Sequence, residues 1–275
     1  MGRLANLGGT AFVTGASKGL GLAFSRMLLA EGMRVWGTSR DPARLVALEG
    51  DHPVGFRSVA LDLEDRPGAA RAFAESQSAA GGAFDLVVNN AGFGVFGEFA
   101  AVESSRWQGQ LEAMLGTVLE LSHAAFRTMR ARRRGSLVHV SSLAAQFPIP
   151  FMSGYNVAKA GLSALSESLM FEARGTGIIV IDFRPGDYHT EFNQAMPPDT
   201  RSEVTRPART EIERLFEHAP RPERAALDLK RALLANRSGI VRSGSFFQAR
   251  LAPLMARIGP ESWIRKINAG YYGYR

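Results

Sequence analysis

Tyr155 and Lys159 stand four residues apart in the run Tyr155-Asn156-Val157-Ala158-Lys159. On a helix that interval stacks two side chains one turn apart on a single face. A free phenol titrates near ~10, too high to exchange protons readily at neutral pH. A neighbouring ammonium stabilises phenolate, so Lys159 is expected to lower the value for Tyr155 and make the pair a proton donor and acceptor. Helices produce this pattern by chance as exposed pairs, and its meaning depends on the surroundings. Ser142 closes a β-type run thirteen residues before Tyr155. Ligands gather at the carboxyl ends of strands in parallel sheets, which makes Ser142 a candidate for the same site.

A second constellation lies near the start of the chain. Thr14-Gly15-Ala16-Ser17-Lys18-Gly19-Leu20-Gly21 follows the strand-like run Thr10 to Thr14 and opens a helix-like segment, Leu20 to Ala30. Glycines let a backbone turn sharply and approach a pyrophosphate, while a helix N-terminus supplies open N–H donors and the positive end of a dipole. A glycine triplet alone is a weak sign of anything beyond a tight turn. Between a strand and a helix it favours a dinucleotide cradle.

These residues need a scaffold, and the hydrophobic pattern supplies one. Short β-type runs at Arg34 to Thr38, Val54 to Leu61, Phe84 to Val88, Ser136 to Val140 and Gly177 to Phe183 alternate with helical stretches, the firmest at Ser104 to Arg130 and Ser153 to Arg174. Gly135 and Gly175 are placed to stop those two helices. Such alternation predicts a parallel sheet with helices on both faces, as a single α/β domain. Beyond Pro185 prolines accumulate around helix-like Thr210 to His218, so 187–225 reads as a mobile insertion. Arg221 to Asn236 reads as a helix and Gly239 to Arg242 as a last strand. The tail, 246–275, mixes aromatic, aliphatic and basic residues; packing on the fold is favoured over contact with another subunit or a membrane surface.

The spacing Thr-Gly-x-x-x-Gly-x-Gly, with Ser142, Tyr155 and Lys159, Asn89-Asn90-Ala91-Gly92 and Pro185-Gly186 followed by Thr190, resembles the short-chain dehydrogenase/reductase family from Thr10 to Thr190. The resemblance implies a Rossmann-type doubly wound parallel sheet and hydride transfer between a nicotinamide and a carbonyl or alcohol. Tyr155 would move the proton, Ser142 would hold the substrate oxygen, and Lys159 would also anchor the nicotinamide ribose. Thr14, Gly15, Ser17, Lys18, Gly19, Leu20 and Gly21 would hold phosphates; Asp62 and Leu63 the adenine; Asn90, Ala91 and Gly92 the cofactor side of the site. Pro185, Gly186 and Thr190 would close over the nicotinamide. Homodimers or homotetramers are common in that family.

In a doubly wound sheet the end of the second strand reaches the adenosine ribose, where an arginine suits a 2′-phosphate. Arg40 stands there without an acidic residue before it, and Lys18 adds a cation, so NADP(H) is the expected cofactor. One departure is plain. The family's usual asparagine in the following helix is replaced by Met114, and no asparagine occurs between Phe93 and Val140. A thioether cannot donate a proton. The residues thus allow an NADP(H)-dependent enzyme with a rearranged proton relay, or alternatively an NADP(H)-binding regulatory or scaffold protein with little turnover.

Composition sets the outer bounds. The chain of 275 residues is 45% hydrophobic and 21% charged, with no cysteine, which rules out disulfides and thiolate metal sites. His52, His123, His139, His189 and His218 are scattered, so no metal is expected, although His189 falls in the turn near the nicotinamide. The nucleophile elbow of a serine hydrolase is missing around Ser141 and Ser142. A net charge of +7 comes without a nucleic-acid motif, and Arg130 to Arg134 is read as basic residues at a helix end. Met1 to Gly9 lack the features of a secretory signal and no apolar run is membrane-length, so a cytoplasmic protein is expected. Phe93, Phe96, Phe147, Phe151, Phe192 and Phe216 point to an apolar or aromatic carbonyl or alcohol substrate.

Overall fold

The computed structural model describes residues 9–192 and 202–273. Seven strands form one parallel sheet: β1 (Thr10–Val13), β2 (Arg34–Ser39), β3 (Phe56–Ala60), β4 (Leu86–Asn89), β5 (Gly135–Val140), β6 (Ile178–Pro185) and β7 (Gly239–Ser243), in the order β3-β2-β1-β4-β5-β6-β7. The reversal of order between β1 and β4 is the switch point at which doubly wound sheets open a crevice. Alternate residues of each central strand serve opposite cores: Ala11, Val13, Leu86, Val88 and Val138 pack to one side, and Phe12, Val87, Leu137 and Val180 to the other. Strands buried on both faces read as continuous apolar runs, which is why they were visible in the sequence.

Helices α1 (Gly19–Ala30) and α8 (Pro222–Leu234) cover the first face; α3 (Arg66–Ala79), α5 (Thr117–Arg132) and α6 (Ser153–Glu172) include residues of the second core. Phe12 makes an edge-on contact with Phe73 at 4.9 Å and a tilted one with Phe84 at 5.3 Å. Truncating such a ring to alanine costs about 3–5 kcal/mol. The remaining helices are α2 (Val46–Asp51), α4 (Ser104–Leu111), α7 (Arg206–Glu217), α9 (Ala252–Ile258) and α10 (Glu261–Tyr271).

Two expectations need correction. The helix expected over Ser104 to Arg130 is broken by a π turn at Glu112–Gly116, which joins α4 to α5 and carries Met114. Gly135 does not stop the helix: Arg133 takes the left-handed conformation at φ 54, while Gly135 opens β5, where a Cβ would come 2.4 Å from Met129. The 187–225 stretch is described in part. It contains α7 and the start of α8, while 193–201, including Pro197 and Pro198, lies outside the described residues. The basic run is used internally: Arg132 and Arg134 meet the Asp85 carboxylate at 3.1 and 2.9 Å, and Arg130 and Arg133 donate to the carbonyls of Glu172 and Gly175.

Candidate active site

The glycine turn between β1 and α1 is pressed against the loop after β4. Gly15 and Gly19 take φ values of +68 and +54, and a Cβ on Gly15 would stand 3.0 Å from the Ala91 backbone. Thr14 Oγ1 accepts from the backbone N–H groups of Asn90 and Ala91 at 2.9 and 3.0 Å, and Asn90 Nδ2 donates back to the Thr14 carbonyl at 2.9 Å. Gly15 N–H donates to Thr38 Oγ1 at 3.2 Å. α1 begins with no side-chain cap and no acidic residue in its first turn. Its first N–H groups are therefore open to an anion.

A cavity of about 520 Å³ starts at this turn. Gly15, Ser17, Lys18, Gly19 and Leu20 line it, with Arg40, Asp62 and Leu63 at the β2–β3 end. Thr14 and Gly21 do not. The Thr14 hydroxyl is spent on the β4 loop, and Gly21 lies behind the wall, where a Cβ would fall 2.1 Å from the Gly15 carbonyl. Both shape the turn rather than face a ligand. Arg40 is exposed at the rim, and Arg44, which sequence reasoning missed, lines the same end while pairing with Asp41 at 3.4 Å. Lys18 lines the cavity too, but its nearest ion partner is Glu191 at 3.8 Å. Thr190 stands over Gly19, whose added Cβ would lie 3.4 Å from it, so the segment after β6 reaches the glycine turn.

Asn90, Ala91 and Gly92 carry the cavity onward to Ser142, Tyr155 and Lys159, opposite Pro185 and Gly186. Ser142 Oγ accepts from Ala144 N–H at 3.0 Å. Ser141, the alternative one register away, donates instead to the buried Asp182 carboxylate. Tyr155 and Lys159 are buried on α6. Burial pushes the Tyr155 phenol up to about 12, with the Asp187 carboxylate adding to the rise and a hydrogen bond with Ser142 opposing it. The net shift is upward, opposite to the lowering expected from Lys159, which is not among its causes. Lys159 Nζ donates to the Val140 carbonyl at 2.7 Å and lies 5.6 Å from the Tyr155 ring centre. Burial lowers Lys159 itself to about 8, against the pull of Asp182.

The tail forms much of the opposite wall. Gln248, Met255, Ile264, Tyr271 and Tyr272 line the cavity, joined by Ile212 and Leu215 of α7. Of the six phenylalanines singled out, Phe93, Phe147, Phe192 and Phe216 line it. Phe96 and Phe151 pack on each other at 5.8 Å. His189 is exposed and its Nδ1 faces the Phe216 carbonyl, outside the cavity. His139 is a core residue between Ser122 and Ser166, held by burial near 4. Among the described residues no group of three or more metal-ligating side chains assembles and no helix is long and apolar enough to cross a membrane.

The model of the short chain dehydrogenase family matches residues 9–201. The chain belongs to the short-chain dehydrogenase family. It is 30% identical over 197 residues to the 3-oxoacyl-acyl-carrier-protein reductase of Escherichia coli K12, covering 72% of this chain and 80% of the relative. It is 32% identical over 187 residues to serine 3-dehydrogenase of Agrobacterium fabrum, covering 68% and 74%. A short-chain dehydrogenase structure from Streptomyces avermitilis superposes with a TM-score of 0.80 over 95% of this chain and 97% of that one, at 26% identity. A metagenomic short-chain oxidoreductase in complex with NADP gives a TM-score of 0.67 at 29% identity, covering 86% and 97%. NAD(P)-dependent oxidoreduction is thus the activity class of this chain.

The short-chain dehydrogenase match ends before α7 and the tail, which complete the cavity wall here. Met114 is buried in the π turn, with Cε against Gly92 and Sδ 3.5 Å from Phe93 N–H. The Lys159 amine is therefore served by the Val140 carbonyl and not by residue 114.

Proposed function

We propose that this short-chain dehydrogenase interconverts a ketone or aldehyde with its alcohol using NADP(H), with Tyr155 as general acid and base. One observation carries the reading: Ser142, Tyr155 and Lys159 line a cavity that runs unbroken from a glycine cradle with an arginine at its rim. The cradle suits a dinucleotide, since its left-handed glycines leave no Cβ in the way and α1 presents unpaired N–H groups. Arg40, with Arg44 beside it, suits a 2′-phosphate. Asp62 and Leu63 would bound the adenine, and Thr190 with Pro185 and Gly186 the nicotinamide.

When bound, the nicotinamide supplies a hydride to the substrate carbonyl carbon. Ser142 donates a hydrogen bond to the carbonyl oxygen and fixes it beside the phenol. Tyr155, held protonated by burial, gives its proton to the oxygen as negative charge develops there. The Lys159 ammonium then stabilises the phenolate left behind. The aromatic wall excludes water and favours an apolar or aromatic substrate.

A panel of aliphatic and aromatic carbonyls and alcohols, followed at the nicotinamide absorbance with NADPH and NADH, tests the reading. Turnover with preference for the phosphorylated cofactor is expected. Tight NADPH binding with no turnover of any compound would refute it.

A further inference from the structure

Asp187, two residues past the end of β6, is 9% exposed and lines the substrate end of the cavity. Its Oδ2 accepts from Gln248 Nε2 at 2.6 Å and from the Tyr271 hydroxyl at 2.8 Å, both on the tail. Its Oδ1 accepts no hydrogen bond among the described residues. Neutral donors do not balance a buried carboxylate: charges inside proteins are ordinarily paired, because leaving one unpaired costs several kcal/mol. Among the described residues no cation lining the cavity pairs with Asp187. Lys18, Arg40 and Arg44 stand at the glycine-cradle end, and Lys159 is bonded to Val140. In a second, small cavity that Asp187 also lines, Arg214 is paired with Glu211, and His218 Nδ1 faces the Arg214 carbonyl at 3.0 Å.

We propose that Asp187 is the counter-ion for a positively charged group on the substrate, so that the compounds turned over are apolar or aromatic ketones or alcohols bearing an ammonium. This rests on the oxidoreductase reading above and adds the substrate class. Oδ1 offers the acceptor site that the tail leaves unused, and Phe192 and Phe216 would enclose the hydrocarbon part. Asp187 and Tyr155 line the same cavity, so an amine paired with Asp187 shares the chamber that holds the reacting oxygen.

A purely structural role for Asp187, latching the tail through Gln248 and Tyr271, makes a different prediction. Asp187→Asn keeps an oxygen acceptor for both donors and replaces the unused, charged oxygen by a neutral amide N–H donor. The NADP-loaded protein is titrated calorimetrically with phenylethylamine and with the uncharged phenylethanol. Kinetics are run with phenyl ketones that do or do not carry a primary amine on the adjacent carbon. Wild type should bind the amine about 10-fold tighter than the alcohol, and Asp187→Asn should lose that preference through KM rather than kcat while neutral ligands are unaffected. Should Asp187→Asn fail to fold, Tyr271→Phe serves: it removes one donor, keeps the carboxylate, and should retain the preference. Equal binding of amine and alcohol by wild type, a preference that survives Asp187→Asn, or loss of the preference in Tyr271→Phe would each overturn the assignment. Amine preference in binding with no turnover of any ketone would support the site and count against the proposed reaction alone.

Discussion

Lys159 Nζ is tied to the carbonyl of Val140 at 2.7 Å, across 19 residues of sequence, at the end of the strand that leads into Ser142. That bond holds a cation inside the protein at a cost. Burial lowers Lys159 from 10.5 to about 8, which at roughly 1.4 kcal/mol per pH unit corresponds to about 3 kcal/mol against the charged form at neutral pH. Between about 8 and 10.5 the unfolded chain holds more protons than the folded one, so this penalty fades and stability rises with pH. Lys159→Met should therefore be inactive yet more stable than wild type by about 1–2 kcal/mol at pH 7, part of the gain being offset by the lost hydrogen bond. Urea unfolding at pH 7 and 10 checks this: the advantage should shrink at the higher pH.

The two groups also separate on the pH axis. Tyr155 at about 12 keeps its proton throughout the usual assay range, whereas Lys159 at about 8 loses its charge within it. For reduction, kcat/KM should be flat at lower pH and fall as pH rises through about 8, when phenolate loses its cationic neighbour. In Lys159→Arg the cation persists, and the residual activity should show no such limb. An identical limb in the variant would assign it to another group.

At the far end of the cavity Arg40 is exposed, so its contribution to a phosphate is limited by solvent. Arg40→Ala should raise KM for NADPH about 10-fold and leave KM for NADH within about 2-fold. Steady-state kinetics with both cofactors read this directly; parallel changes in the two values would remove Arg40 from cofactor choice.

Gly21 tests the cradle from behind. A Cβ there meets the Gly15 carbonyl at 2.1 Å, whereas one on Gly109 in α4 meets nothing within 4 Å. Gly21→Ala should weaken NADPH binding by more than about 10-fold, while Gly109→Ala should bind normally and gain up to about 1 kcal/mol in stability from helix propensity. Fluorescence titration and thermal melts distinguish the two.

The strands were legible because burial on both faces is a local feature of sequence; spacing put Tyr155 and Lys159 on one helix face, and the family resemblance singled out Ser142, which lines the same cavity. A motif gives positions but not the side of the wall on which each one falls, so the places of Thr14 and Gly21 outside the cavity lining were not legible. The tail was ambiguous for a related reason: Tyr271 lies 84 residues from Asp187, and apolar residues that line a cavity have the same composition as those that meet a core or a partner. The π turn at Glu112–Gly116 left no trace in the apolar periodicity. The phenol's electrostatics were misjudged because spacing on a helix says which charge is near and nothing about how much water has been removed. Here burial is the largest cause of the upward shift, and the Lys159 ammonium is not among the others.

The account depends most on the Tyr155 proton, and the direct measurement is single-turnover oxidation of bound NADPH with a reducible carbonyl, in wild type and in Tyr155→Phe. The variant should bind NADPH as tightly as wild type and transfer hydride at least about 100-fold more slowly. Equal rates in the two proteins would contradict the mechanism.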